Sequence, residues 1–192
     1  MNVDPNLGEK IYQASCFISD IYKQVRTLLV ACDALFAEAG IAPANGNEVE
    51  LHRARNLDAP AAWNQQAVGR LYAPKKRPDG TVSAFIVVEV HLRPKSATHA
   101  LLVLAYAEPS LPVISQALSS EYKEGEWLED LLVNHYPAQT EWNGLRAAHP
   151  RHLSLADGLH LKAWPLTEFT DEESLGRALR SQLARWAPGL FK

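Results

Sequence analysis

The run Thr81-Val82-Ser83-Ala84-Phe85-Ile86-Val87-Val88-Glu89-Val90-His91-Leu92 decides the fold. Taken alternately, Val82, Ala84, Ile86, Val88, Val90 and Leu92 make one wholly apolar face. Thr81, Ser83, Phe85, Val87, Glu89 and His91 make a second face, apolar in the middle and polar at its ends. A period of two in β-branched and aromatic residues is the signature of a strand. Upstream, Val68 to Ala73 reads as a second strand, joined to the first through Arg77-Pro78-Asp79-Gly80. There Pro suits the first central position of a type I turn, and Gly the left-handed bulge that follows, so an antiparallel hairpin is expected. Downstream, Ala100 to Tyr106 is apolar on both faces, which predicts a strand inside the sheet or beneath a helix.

Helical spacing flanks this sheet. From Leu7 to Ala39 the apolar residues recur at helix period, through Ile11, Ile18, Ile21, Val25, Leu28, Cys32 and Leu35, and Gly40 with Pro43 marks the end. Thirty-three residues at ~1.5 Å each give ~50 Å, against a radius of gyration of ~16 Å for a compact domain of this size. Such a helix overhangs the body or enters a dimer. Residues 48–66 carry no clear pattern, and Asn45-Gly46-Asn47 reads as a polar connection. A helical stretch follows Pro112 and runs to Leu132. His149 to Trp164 reads as a second hairpin, with a three-residue Ala156-Asp157-Gly158 turn that groups Leu153, Leu155, Leu159 and Leu161 on one face. Pro165 suggests that its last strand lies at an edge. Thr170-Asp171-Glu172-Glu173 has capping-box form and opens a final helix with Leu175, Leu179, Leu183 and Trp186 on one side. The expectation is a single α+β domain over residues 1–192. It has a mostly antiparallel five-stranded sheet, the order α-β-β-β-α-β-β-α and a long N-terminal helix.

Composition narrows function more by exclusion than by assignment. A formal charge of -3 disfavours nucleic acid as a partner. The longest apolar run, Ala100 to Ala107, is far short of the ~20 residues of a membrane span, so no membrane association is expected. The N-terminus lacks the basic head and apolar stretch of a secretory signal, which predicts a cytoplasmic protein. Cys16 and Cys32, ~24 Å apart on one helix, are beyond disulfide reach and read as buried thiols. With no Gly-rich phosphate loop and no G-x-S-x-G elbow, no cofactor or metal is expected and no catalytic residue can be assigned.

Two polar clusters remain as candidate ligand sites. In the register expected for the first hairpin, Arg70 and Glu89 are diagonal neighbours on one face, which favours a cross-strand ion pair beside His91. Asp79 and Glu89, by contrast, stand ~33 Å apart on one strand and cannot share a metal ion. In the second hairpin His152, His160 and Lys162 share a polar, solvent-facing side, where the nearby cations suit an anion better than a metal. The acidic run from Glu121 to Asp130 reads as the solvated face of a helix.

The element order α-β-β-β-α-β-β-α resembles that of small bacterial secretion chaperones. The resemblance implies partner binding as a dimer without catalytic activity. The leading expectation is therefore a non-enzymatic binding or adaptor module, dimeric and chaperone-like, with a protein partner or self-association through the first helix and exposed strand faces. The alternative is a sensor for a small anion such as phosphate or a nucleotide, or a metal-dependent hydrolase, built on the His152/His160/Lys162 face.

Overall fold

A computed structural model describes residues 4–44, 46–52, 67–74, 84–92, 98–108, 141–145 and 158–191. Helix α1 spans Leu7–Glu38 and is stopped by Gly40, whose φ of 69° lies in the left-handed region that a side chain disfavours. Strands β1 (Ile41–Pro43), β2 (Glu50–His52), β3 (Ala67–Pro74), β4 (Phe85–His91), β5 (Leu101–Glu108), β6 (Glu141–Leu145) and β7 (Gly158–Pro165) follow, and helix α2 (Glu172–Trp186) closes the order.

The strands form one antiparallel sheet in the order β1-β3-β4-β5-β7-β6, and β2 also pairs with β3. The fold is thus α+β, with the long N-terminal helix and the C-terminal helix read from periodicity. β5 sits between β4 and β7, as its two apolar faces require. Leu102 and Leu104 are fully buried on one side of it, and Val103 and Ala105 are buried on the other.

Several details depart from the sequence reading. β1 and β2 both line the outer edge of β3, β1 against Tyr72–Pro74 and β2 against Ala67–Gly69. Three-residue strands of this kind owe their conformation to the partner strand, so no local pattern announces them. β7 is not an edge strand, because β6 pairs with it at Glu141↔Lys162 and Trp142↔Leu161. Pro165 is tolerated as its last residue, where β6 has already ended. The turn at residues 77–80, the helix expected after Pro112 and the strand expected at 149–155 lie outside the described residues.

One face of the sheet carries the two described helices. Val25, Leu29, Cys32, Leu35 and Phe36 of α1, with Leu175, Leu179 and Leu183 of α2, pack on Val68, Tyr72, Ile86, Val88, Val90, Leu102 and Leu104. Phe36 binds the parts together, with Tyr72 at 4.4 Å between ring centroids on one side and Phe191 at 6.3 Å on the other. α2 begins with a reciprocal cap, one residue later than the sequence suggests. The Asp171 carboxylate accepts from the Ser174 backbone N–H at 2.7 Å, which holds its pKa below the usual carboxylate value, and the Asp171 backbone N–H donates to the Ser174 hydroxyl.

The core ends well before α1 does. The first buried residue of α1 is Val25, and Cys16 is exposed, contrary to the expectation of two buried thiols. The physical reason is that no sheet lies beneath that half of the helix among the described residues. Cys32 is fully buried, and burial, aided by the Asp33 charge, pushes its thiol up to about 12. A disulfide-exchange reagent added to the native protein is therefore expected to modify one thiol rapidly, Cys16, and to reach Cys32 only on unfolding. Two fast thiols would contradict this packing.

Candidate functional site

The register of β3 against β4 sorts the predicted polar residues. Gly69 stands opposite Glu89, and Arg70 opposite Val88. Arg70 and Glu89 therefore project from opposite faces, and the expected ion pair between them does not form. Because side chains alternate, a one-residue error in the expected register moves a whole strand to the other face.

Arg70 instead points toward α1. Its Nη2 donates to Asp33 Oδ2 at 2.7 Å, its Nε to Asp33 Oδ1 at 3.2 Å and its Nη1 to the Glu48 carbonyl at 2.7 Å. Tyr72, two residues along the same face, donates its hydroxyl to Asp33 Oδ1 at 2.8 Å. One carboxylate thus takes a forked guanidinium and a phenol, the geometry in which charge-assisted bonds are strongest. Burial opposes the Arg70 charge, but the hydrogen bond and charge of Asp33 outweigh it and the pKa is raised. Tyr72 is raised too, by burial above all. Sequence reading missed both Asp33 and Tyr72. The available signal was a carboxylate adjoining Cys32 on the margin of the apolar stripe of α1.

An open groove of about 400 Å³ lies beside this network, with Tyr22, Val25, Arg26 and Val30 of α1 on one wall and Val49, Val68 and Arg70 among the residues opposite. Glu89 and His91 sit together on the other face of the sheet. His91 Nε2 lies 2.8 Å from Glu89 Oε2, and both side chains are buried. Gly69 makes room for them, since a Cβ there would come within 2.5 Å of Glu89 Cγ. Both side chains of this pair are buried.

His160 and Lys162 lie on the helix-bearing side of β7, opposite Tyr106 and Leu104. His160 stacks on Trp186 of α2 at 5.5 Å and tilts against Tyr106 at 6.1 Å, while the Lys162 ammonium lies 5.8 Å from the Trp164 ring. The hairpin side expected to face solvent is therefore half-covered by α2. His152 lies outside the described residues, so its relation to His160 and Lys162 is not part of the picture. The Arg70 network and the Glu89–His91 pair occupy opposite faces and do not combine into one site. Among the described residues no group of three His, Cys, Asp or Glu side chains is placed to hold a metal ion, and no helix is long and apolar enough to cross a membrane.

Among the described residues, large apolar side chains are left exposed. Along the N-terminal half of α1, Leu7 is 43% exposed, Ile11 57%, Tyr12 71% and Phe17 68%. Isolated exposed apolar residues are ordinary, and these four are spread round the helix: Leu7 and Ile11 share a face, while Tyr12 and Phe17 stand on its two sides, about 140° apart. Comparison with known proteins gave no matching family model, no matching curated protein and no matching solved structure.

The Asp33 network makes a thermodynamic prediction. Removing the carboxylate by Asp33→Ala strands a buried guanidinium and is expected to cost about 3 kcal/mol. Tyr72→Phe, which removes one neutral donor, is expected to cost about 1 kcal/mol. Folding holds Tyr72 and Cys32 neutral, with raised pKa values. Their stabilisation is complete below about pH 8, under both unfolded pKa values, and is lost as pH rises through the alkaline range. Urea unfolding at pH 8 and pH 10 should show the wild type weakening, with a shallower loss in Tyr72→Phe. Equal effects of the two substitutions, or an identical alkaline loss, would contradict the network.

Proposed function

We propose that the chain is a non-enzymatic binding or adaptor module that holds a protein partner along the N-terminal half of α1, acting in the cytoplasm. The observation that supports this most is the exposure of Leu7, Ile11, Tyr12 and Phe17 round the N-terminal half of a helix whose other half is locked into the core. Burying large apolar side chains yields about 1.5–3 kcal/mol each, so a complementary partner surface gains much of its affinity here. Aromatic anchors such as Tyr12 and Phe17 carry a large share of the energy in protein interfaces. The exposed free thiol of Cys16 suits a reducing compartment.

The small-anion reading finds less support. His160 is engaged in aromatic packing, and the Arg70 guanidinium is already forked on Asp33. The two readings separate experimentally. Affinity capture from the source organism, quantified by mass spectrometry, should recover a folded protein partner with the wild type and lose it with Tyr12→Glu/Phe17→Glu, while the melting temperature stays unchanged. Phosphate, nucleotides and divalent metals should leave that temperature where it is. A rise with phosphate that His160→Ala abolishes, together with capture indifferent to the helix substitutions, would replace the adaptor reading with the anion one.

A further inference from the structure

We infer that the exposed half of α1 is a self-association seam, which a second copy of this chain completes by packing the same helical stretch antiparallel against it. Resting on the binding-module reading, the inference names the partner surface. The apolar residues of α1 do not merely recur at helix period. Leu7, Ile11, Ala14, Ile18 and Ile21 follow one another in steps of four, three, four and three. Val25, Leu28, Cys32 and Leu35 continue the same alternation. Steps of this kind average 3.5 residues, the repeat by which one helix packs along another.

The two halves of the seam have different fates. From Val25 onward it is occupied by the chain's own core, which receives Val25, Cys32 and Leu35 directly. Before Ile21 it meets solvent at Leu7, Ile11 and Ala14, and partly at Ile18, although its pattern is unbroken. The flanks of this exposed stretch, counted on the same repeat, are Gly8, Ser15 and Tyr22 on one side and Lys10, Phe17 and Gln24 on the other. Only Lys10 among them is charged. Glu9, Tyr12, Asp20 and Lys23 fall on the outward side, where Tyr12 stays in solvent and Asp20 and Lys23 already pair with each other at 2.7 Å. A helix whose flanks carry so little charge meets a copy of itself without like-charge repulsion.

The fold also selects the direction. A parallel partner would bring its own sheet to the end of the seam that this chain's sheet already fills. An antiparallel partner places the two bodies at opposite ends and closes a two-fold dimer, in which each residue contact is made twice. In that arrangement Ile11 meets Ile21 of the second copy, Ala14 meets Ile18, and Leu7 falls beside Val25 at the mouth of the groove. The two copies of Phe17 then flank the symmetry axis, which accounts for the exposure of so large a ring.

Sedimentation velocity on the full chain tests this. Wild type should be dimeric, and Ile11→Asp/Ala14→Asp should be monomeric with an unchanged melting temperature, because both residues are exposed. A short bismaleimide should link Phe17→Cys to itself in a Cys16→Ser background. Leu7→Cys should not link to itself, because its two copies would be about 27 Å apart. A wild-type monomer at all concentrations would overturn the inference, as would a dimer indifferent to the aspartates, and Leu7→Cys self-linking would overturn the antiparallel arrangement. Loss of a foreign partner in the Tyr12→Glu/Phe17→Glu capture would leave the binding-module reading standing in the first of those cases, so the two can fail separately.

Discussion

The fork between Arg70 and Asp33 fixes where α1 meets the sheet. A guanidinium this buried demands a carboxylate, and Asp33 lies one residue past Cys32, in the part of α1 that faces the core. With Tyr72 on the same carboxylate and Phe36 packed on the Tyr72 ring, the second half of the helix has one position on β3. The 32-residue helix is longer than the sheet it covers, so anchoring it at Asp33 leaves its first turns beyond the core. The exposure of apolar side chains on those turns is thus a geometric consequence of a polar contact made more than 20 Å further along the helix.

The same strand register that sends Arg70 to α1 sends Glu89 to the other face, over Gly69 and against His91. Both faces of β3–β4 therefore carry buried polar groups whose hydrogen bonds are made inside the protein. Buried polar groups tolerate few arrangements, and these help to specify the pairing that the apolar alternation alone favours. In this geometry they are satisfied within the protein, whereas the N-terminal half of α1 leaves apolar side chains in solvent.

Much of this architecture was legible in the sequence. The alternation from Val82 to Leu92 marked β4, the two-sided apolar run from Leu101 placed β5 inside the sheet, and the spacing from Leu7 to Leu35 marked α1. What was not legible depended on contacts between distant segments. β1 and β2 are too short to have a pattern of their own, and β6 removes β7 from the edge that Pro165 suggested. Of the candidate site residues, Arg70, Glu89 and His91 were read as one cluster on one face, yet the partner of Arg70 came from a helix 37 residues upstream. The side of β7 with His160 and Lys162 was read as open to water because sequence alone does not show α2 lying across it.

Hydrogen exchange along α1, followed as a function of protein concentration, tests the account most directly. Amides from Val25 to Phe36 should be strongly protected at every concentration, held by the core and the Asp33 anchor. Those from Ile11 to Ile21 should exchange rapidly in dilute solution and gain protection as concentration rises and the second copy arrives. Uniform protection along the whole helix, unaffected by concentration, would show that the N-terminal half is already covered within one chain and would contradict the account.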